Sequence, residues 1–153
     1  MPVQYPSVLP LPQTTGYGQT PKNNTLRTEM ESGNARQRKR FTSSPTEYSA
    51  TFRFTQDQFA IFEAWYKHQA NEGANYFEIE LLGGLGLQVQ EARFTQQYDA
   101  PIISGNTWEV NTVLEIRERK TLTAEELAVT LVLPPVELES YSNRLHTVVH
   151  TQL

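Results

Sequence analysis

The chain has 153 residues, the length of one domain, and its apolar share of 38% lies below the roughly 45–50% of an average globular protein. The formal net charge of −4 argues against a general attraction to DNA, although it is compatible with a local basic patch. The absence of cysteine excludes disulfides, thiolate metal sites and cysteine nucleophiles. The sequence shows neither a signal-peptide pattern nor an apolar run of roughly 20 residues, so we expect a soluble protein or assembly without membrane contact.

Residues 1–24 are predicted to form an extended N-terminal arm. Five prolines in this segment each remove a backbone donor and favour extended backbone. Apolar side chains such as Tyr5, Leu9 and Leu11 lie between the prolines, and a free polar linker would carry fewer of them. We therefore expect these three residues to contact a neighbouring subunit, so that deleting residues 1–12 leaves the fold intact but weakens assembly. Packing of the arm across its own domain is the alternative.

The folded core is predicted over residues 25–119, and it begins with strands. Leu26–Met30 and Arg36–Thr42 are expected to pair, because Gly and Asn in the Ser-Gly-Asn sequence between them permit positive φ. Apolar and polar residues then alternate over residues 48–54, which is the pattern of a half-buried strand.

One main α-helix is predicted over about residues 56–72. Thr55 can cap its start together with Gln58, three residues later, in a capping box. Aromatic residues at helical spacing form a broad apolar stripe, and Gly73 is placed to end the helix.

Three further strands are expected to complete the core, around Phe77–Leu81, over residues 87–98 and over Trp108–Ile116. A hairpin and a strand, then one helix, then three strands is not the βαβ alternation of a parallel sheet. The order predicts an α+β, β-rich fold, an antiparallel β-sandwich-like core with one main helix and extended N- and C-terminal arms.

The remaining residues, 120–153, are predicted to form a C-terminal extension. A helical turn is expected at residues 123–126 and a strand at Leu127–Leu133, before Pro134 and Pro135 break regular structure. The last eighteen residues mix apolar and polar side chains without a clear period, which favours a second docking arm over a free tail.

The sequence offers no catalytic constellation. His146 and His150 would present two imidazoles to a metal only on a helix, and the three residues between them favour a strand. His68 is expected near a helix C-terminus, where an exposed or capping role suffices. Glu78 and Glu80 share a strand face that alternation assigns to solvent. We therefore predict no enzymatic activity, no metal site and no cofactor.

The basic run at residues 36–40 is the most informative charged feature. On a strand, Arg36, Arg38 and Arg40 share one face, and three like charges there need solvent or acidic partners. A solvated or internally salt-bridged face, a contact with a neighbouring subunit, and nucleic-acid contact are the three possibilities. Aromatic interleaving is missing, so a specific nucleic acid is not expected. Acidic residues considered for the subunit contact are Glu29, Glu31 and Glu115.

Several short features follow one another in a recognisable order over residues 5–118. They are Tyr5–Pro12, Gly16–Gln19, Leu26–Met30, Gly33, Arg36–Thr42, Tyr48–Phe54, Phe62–Tyr66, Gly73, Tyr76–Phe77, Trp108–Val110 and Leu114–Glu115. In order and spacing they resemble the small minor tail proteins of long-tailed phages, related to the lambdoid minor tail protein M and the distal tail group. The segment after Arg119 departs from this pattern.

The resemblance implies a structural virion protein that assembles in the host cytoplasm and is located in the tail. It implies a homo-oligomeric ring, commonly hexameric, between the tail tube and the tail tip proteins. A head–tail adaptor or a tail terminator is the alternative position in the virion. A nucleic-acid-binding module that uses the arginine face is the alternative from a different class.

Overall fold

The computed structural model describes residues 2–132, which form one mixed sheet, a separate hairpin and two helices. The strands are β1 (Val3–Gln4), β2 (Gly18–Pro21), β3 (Thr25–Thr28), β4 (Arg36–Lys39), β5 (Thr46–Thr55), β6 (Phe77–Gly83), β7 (Gly86–Phe94), β8 (Ile102–Ser104) and β9 (Thr107–Ile116). The helices are α1 (Gln56–His68) and α2 (Ala124–Val132), and a 3₁₀ turn covers Asn71–Gly73. The predicted α+β, β-rich class is confirmed.

The main sheet has the strand order β1-β6-β7-β9-β5-β2, and β8 pairs with β9. The longest pairing joins β5 to β9 in antiparallel register from Thr46↔Ile116 to Thr55↔Thr107. β3 and β4 pair only with each other, so they form a hairpin outside the sheet.

Helix α1 covers the inner face of the sheet. Its start is the predicted capping box: the Gln58 N–H donates to the Thr55 hydroxyl, and the Thr55 N–H donates to the Gln58 amide oxygen. The helix ends at His68, four residues before its predicted end, and Gly73 takes a φ of +95° in the turn that follows.

The core between sheet and helix is largely aromatic. Phe62 lies at its centre, with ring centroids 5.1 Å from Phe54 and 5.2 Å from Tyr98. Edge-to-face and offset contacts of this kind add about 0.5–1.5 kcal/mol per pair to the burial of apolar area. The largest fully buried side chains are Tyr48, Phe52, Phe54, Phe62, Phe77, Leu81, Val110, Leu114 and Ile116.

The N-terminal segment supplies both edges of the main sheet. β1 pairs in parallel with β6, and β2 pairs antiparallel with β5, at the opposite end of the strand order. Between them the Gln13 N–H donates to the Thr51 carbonyl on β5, and the Tyr17 hydroxyl donates to the Leu82 carbonyl on β6. We call residues 3–21 the N-terminal clasp, because they connect the two edges.

The clasp also fills the core, which corrects the expectation of a reaching arm. Leu9 is only 4% exposed, so in this conformation it has no surface to offer a neighbouring subunit. The Tyr5 ring lies 5.6 Å from that of Trp65, and its hydroxyl donates to the Pro10 carbonyl. Leu11 packs against the same core. These three predicted contact residues therefore pack on their own domain, which was the alternative considered.

The start of the C-terminal extension is a helix where a strand was predicted at Leu127–Leu133. A capping box explains the difference: the Thr123 N–H donates to the Glu126 carboxylate, and the Glu126 N–H donates to the Thr123 hydroxyl. The predicted second docking arm, the Pro134–Pro135 break and His146 and His150 lie outside the described residues.

Replacing Leu9 with alanine is expected to lower the free energy of unfolding by about 2–4 kcal/mol, because it opens a cavity beneath the clasp. Urea unfolding followed by tryptophan fluorescence measures the change. Val8→Ala is the matched control, because Val8 is 64% exposed and its loss should cost less than about 0.5 kcal/mol.

Deleting residues 1–12, which by the sequence prediction leaves the fold intact, should instead unfold the protein. A deletion variant with a native circular dichroism spectrum and a cooperative melting transition would contradict this view of the clasp.

Candidate inter-subunit interface

The most prominent projection is the hairpin inserted between β2 and β5, which we call the hairpin arm (residues 22–45). At its base the Lys22 N–H donates to the Pro45 carbonyl, so the arm continues the β2–β5 pairing away from the core. Asn24 joins the two strands of the arm just beyond its base. Its backbone carbonyl accepts from the Arg40 N–H and its side-chain oxygen accepts from the Phe41 N–H, both at 2.7 Å. Every residue of β3 and β4 is exposed.

The register of the arm sorts its side chains onto two faces. Leu26 stands opposite Arg38 and Thr28 opposite Arg36, so both arginines share a face with Leu26 and Thr28. Arg40 follows β4 and continues the pairing, which by alternation places it on the same face. The register thus places Arg36 and Arg38 on one face, as predicted, while Arg40 lies one residue beyond the end of β4.

Charge is distributed unevenly between the arm and the rest of the described chain. Residues 22–45 hold six basic and two acidic residues, a net charge of +4. Residues 2–21 and 46–132 hold six basic and thirteen acidic residues, a net charge of −7. The arm is therefore a basic projection on an acidic body.

An ion-pair network holds the base of the arm on the sheet. The Lys22 ammonium lies 3.0 Å from carboxylate oxygens of both Glu47 and Glu115, and the Arg93 guanidinium lies 2.8 Å from the other Glu115 oxygen. The hydrogen bond from Lys22, with a smaller contribution from Arg93, lowers the pKa of Glu115 against the opposing effect of burial. Glu115 is thus an internal anchor, which corrects its prediction as a partner for a neighbour's arginines.

The other residues considered for chemistry lie apart from one another. Among residues 2–132 no group of three His, Cys, Asp or Glu residues could hold a metal ion. His68 is exposed in the last turn of α1. Gly84 and Leu85 form the two-residue turn between the paired Gly83 and Gly86, so this glycine-rich sequence is a hairpin turn.

An open cleft of about 700 Å³ lies beside α1. The Tyr66 hydroxyl at its wall lies 3.0 Å from both the Glu72 carbonyl and the Gln97 amide oxygen, and burial raises the pKa of Tyr66. The lining mixes acidic and basic groups and presents no nucleophile paired with a base. Its residues are Ala60, Glu63, Ala64, Tyr66, Lys67, Glu72, Gln97 and Tyr98.

Neither helix in the described part of the chain combines the length and apolarity needed to cross a membrane. This finding concerns residues 2–132 alone.

Comparison with known proteins gives one structural likeness. No model of a protein family matches the sequence, and no curated protein sequence matches it. Among solved structures, the fold is similar to a chain of the virion of a native gene transfer agent (GTA) particle, with a TM-score of 0.53 and 13% sequence identity. The likeness covers 76% of this chain and 97% of that chain. At this identity the two chains share a fold.

Glu115→Gln is expected to lower the free energy of unfolding by about 1 kcal/mol at neutral pH, because it removes the ion pairs with Lys22 and Arg93. The effect is small because both cationic side chains are partly exposed to solvent. The folded-state pKa of Glu115 lies below its ordinary value of 4.5, so its stabilisation is present above that value and is lost as pH falls through the folded pKa. The difference between wild type and variant should therefore shrink in acid.

Urea unfolding at a series of pH values measures this difference. Glu109→Gln is the matched control. Glu109 lies on β9, the strand of Glu115, and its ion pair with Arg53 is longer, at 3.5 Å. A Glu115→Gln effect that stays constant down to about pH 3 would show that the carboxylate charge does not anchor the arm.

Proposed function

We propose that this protein is a structural virion subunit, which forms a ring at the distal end of a phage tail and links the tail tube to the tip proteins. The observation that carries the proposal is the hairpin arm, a basic projection with both strands exposed, on an acidic, tightly packed body. A ring requires each copy to offer a projecting surface and to receive one. This chain offers such a surface at a defined place.

The shared fold supports the virion part of the proposal. The solved chain it resembles belongs to a gene transfer agent virion, and almost all of that chain, 97%, is covered. The sequence resemblance to minor tail and distal tail proteins supports the tail position and a ring of six copies. The function then consists in geometry, and we expect no catalytic step and no cofactor.

Two parts of the molecule have separate tasks in this proposal. The clasp, sheet and helix form a body that keeps its shape, because the core is aromatic and both sheet edges are covered. The arm reaches outward, and at about 3.3 Å per residue a strand from Lys22 to Met30 extends roughly 25–30 Å. That reach is enough to cross onto an adjacent copy of a small domain.

Replacing residues 23–44 with an Asn-Gly turn, together with Pro45→Thr, should abolish rings without unfolding the protein. The Lys22 N–H already donates to the carbonyl of residue 45, and Pro45→Thr supplies the N–H that closes a two-residue Asn-Gly hairpin. We expect the free energy of unfolding to change by less than about 1 kcal/mol, because the arm adds little to the core. Negative-stain electron microscopy and sedimentation velocity compare the variant with wild type.

Wild-type rings together with a folded, monomeric variant are the expected result. Rings from the armless variant would show that the arm is not the contact between copies. A wild-type protein that stays monomeric at every concentration would refute the ring itself. Immunogold labelling of virions distinguishes the tail tip from a head–tail adaptor or terminator position.

A nucleic-acid-binding module is the second candidate, and the net charge of +4 on the arm is the observation that favours it. Phosphate contacts by the arginines should make DNA retention fall steeply with salt. Filter binding with labelled DNA at low and moderate salt tests this candidate, and absence of retention at low salt dismisses it. Virion DNA that passes through a tail must not be held there, so the structural proposal expects no retention.

A further inference from the structure

In the proposed ring, the basic arm of one copy requires an acidic receiving surface, the acceptor, on another copy. The acidic residues considered from the sequence, Glu29, Glu31 and Glu115, do not provide that surface. Glu29 and Glu31 lie in the turn of the arm itself, between β3 and β4. Glu115 is 8% exposed and already bonded to Lys22 and Arg93. The acceptor is therefore another part of the acidic body.

The outer face of the β6–β7 hairpin, opposite α1, carries unbalanced negative charge. Glu78 stands directly opposite Glu91, an arrangement of like charges that destabilises a strand pair. Glu91 meets Arg117 at 3.6 Å with both side chains largely exposed, so this pair compensates little. Glu80 is exposed and has no ion pair among the described residues. A cationic partner on this face would relieve the repulsion.

The spacing of the two charged sets is the same. Glu78 and Glu80 alternate on one face of β6, and Arg36 and Arg38 alternate on one face of β4. Same-face residues of a strand repeat every two residues, about 6.5–7 Å, in both elements. A strand of the arm laid along β6 therefore brings successive guanidinium groups to successive carboxylates.

Apolar side chains accompany the charges on both surfaces. Leu82 continues the face of Glu78 and Glu80 and is 49% exposed, with half-buried Val89 opposite Glu80 on β7. On the arm, Leu26 stands opposite Arg38 on the arginine face and is 37% exposed. Burial of Leu26 against Leu82 and Val89 would add an apolar contribution to the ion pairs.

We propose that the arginine face of the hairpin arm docks on the outer face of β6–β7 of a second copy of this chain, with the two arginines Arg36 and Arg38 against Glu80 and the opposed carboxylates Glu78 and Glu91. The inference rests on the proposed ring, for which it names the receiving surface. The contact is head-to-tail, since arm and acceptor are different surfaces, and its repetition closes a ring when the rotation between neighbouring copies divides a full turn.

Cross-linking tests the acceptor directly, because the natural chain has no cysteine to interfere. One preparation carries Arg38→Cys and another carries Glu80→Cys. Face-to-face strands stand about 10 Å apart, beyond the reach of a disulfide, so a short bis-maleimide joins the two thiols. Mixed preparations should give a covalent dimer, and a mixture of Arg38→Cys with Glu63→Cys, an exposed position on α1, should not.

Charge reversal tests the pairing independently. Arg36→Glu/Arg38→Glu and Glu80→Lys/Glu91→Lys should each weaken self-association by about tenfold, as expected for losing two exposed ion pairs and gaining repulsion. Mixing the two reversed proteins should restore association, since each arm then meets a face of opposite charge. Glu63→Lys/Glu118→Lys is the control with the same change in net charge at other exposed positions.

The outcomes separate this inference from the proposed function. Wild-type rings with no Arg38–Glu80 cross-link, or reversed proteins whose mixture does not associate, overturn the acceptor but leave the ring standing. Monomers at every concentration in the wild type overturn both. Restored association in the mixture together with the cross-link supports the docking surface.

Discussion

The closure of the sheet by the N-terminal clasp is the constraint on which the rest of the structure depends. One segment pairs with β6 at one edge of the sheet and with β5 at the other, so neither edge is left open along the paired residues. Its side chains fill the space between, with Leu9 buried and Tyr5 against Trp65 and Phe52. Prolines suit this segment because it bonds to its neighbours through few backbone donors.

The body formed by clasp, sheet and helix holds the base of the hairpin arm in place. The arm begins where β2 ends, and Lys22 at that junction bonds to Glu47 and Glu115 on two neighbouring strands. Anchoring matters for a projecting element. A mobile hairpin loses conformational entropy when it binds another molecule, and that cost lowers the affinity. Clasp and anchor thus fix the base of the exposed hairpin on the sheet.

The sequence predicted those elements whose signal is local. The capping box of Thr55 and Gln58, the alternation along β5, β6 and β9, and the shared face of Arg36 and Arg38 all appear as expected. The capping box that starts α2 was also visible at Thr123 and Glu126, yet the apolar run after it favoured a strand. Short apolar runs fit either period, so periodicity alone does not separate them.

Sequence by itself therefore determined the α+β class, the inner faces of the strands and the arginine face, because these follow from spacing within one element. Tertiary structure alone decided which segment projects. An apolar, proline-rich stretch reads equally as a reaching arm or as a packed strap, and only long-range pairing to β5 and β6 assigned Leu9 to the core. In the same way, Glu115 became an internal anchor only because folding brings Lys22, from 93 residues away, to its carboxylate.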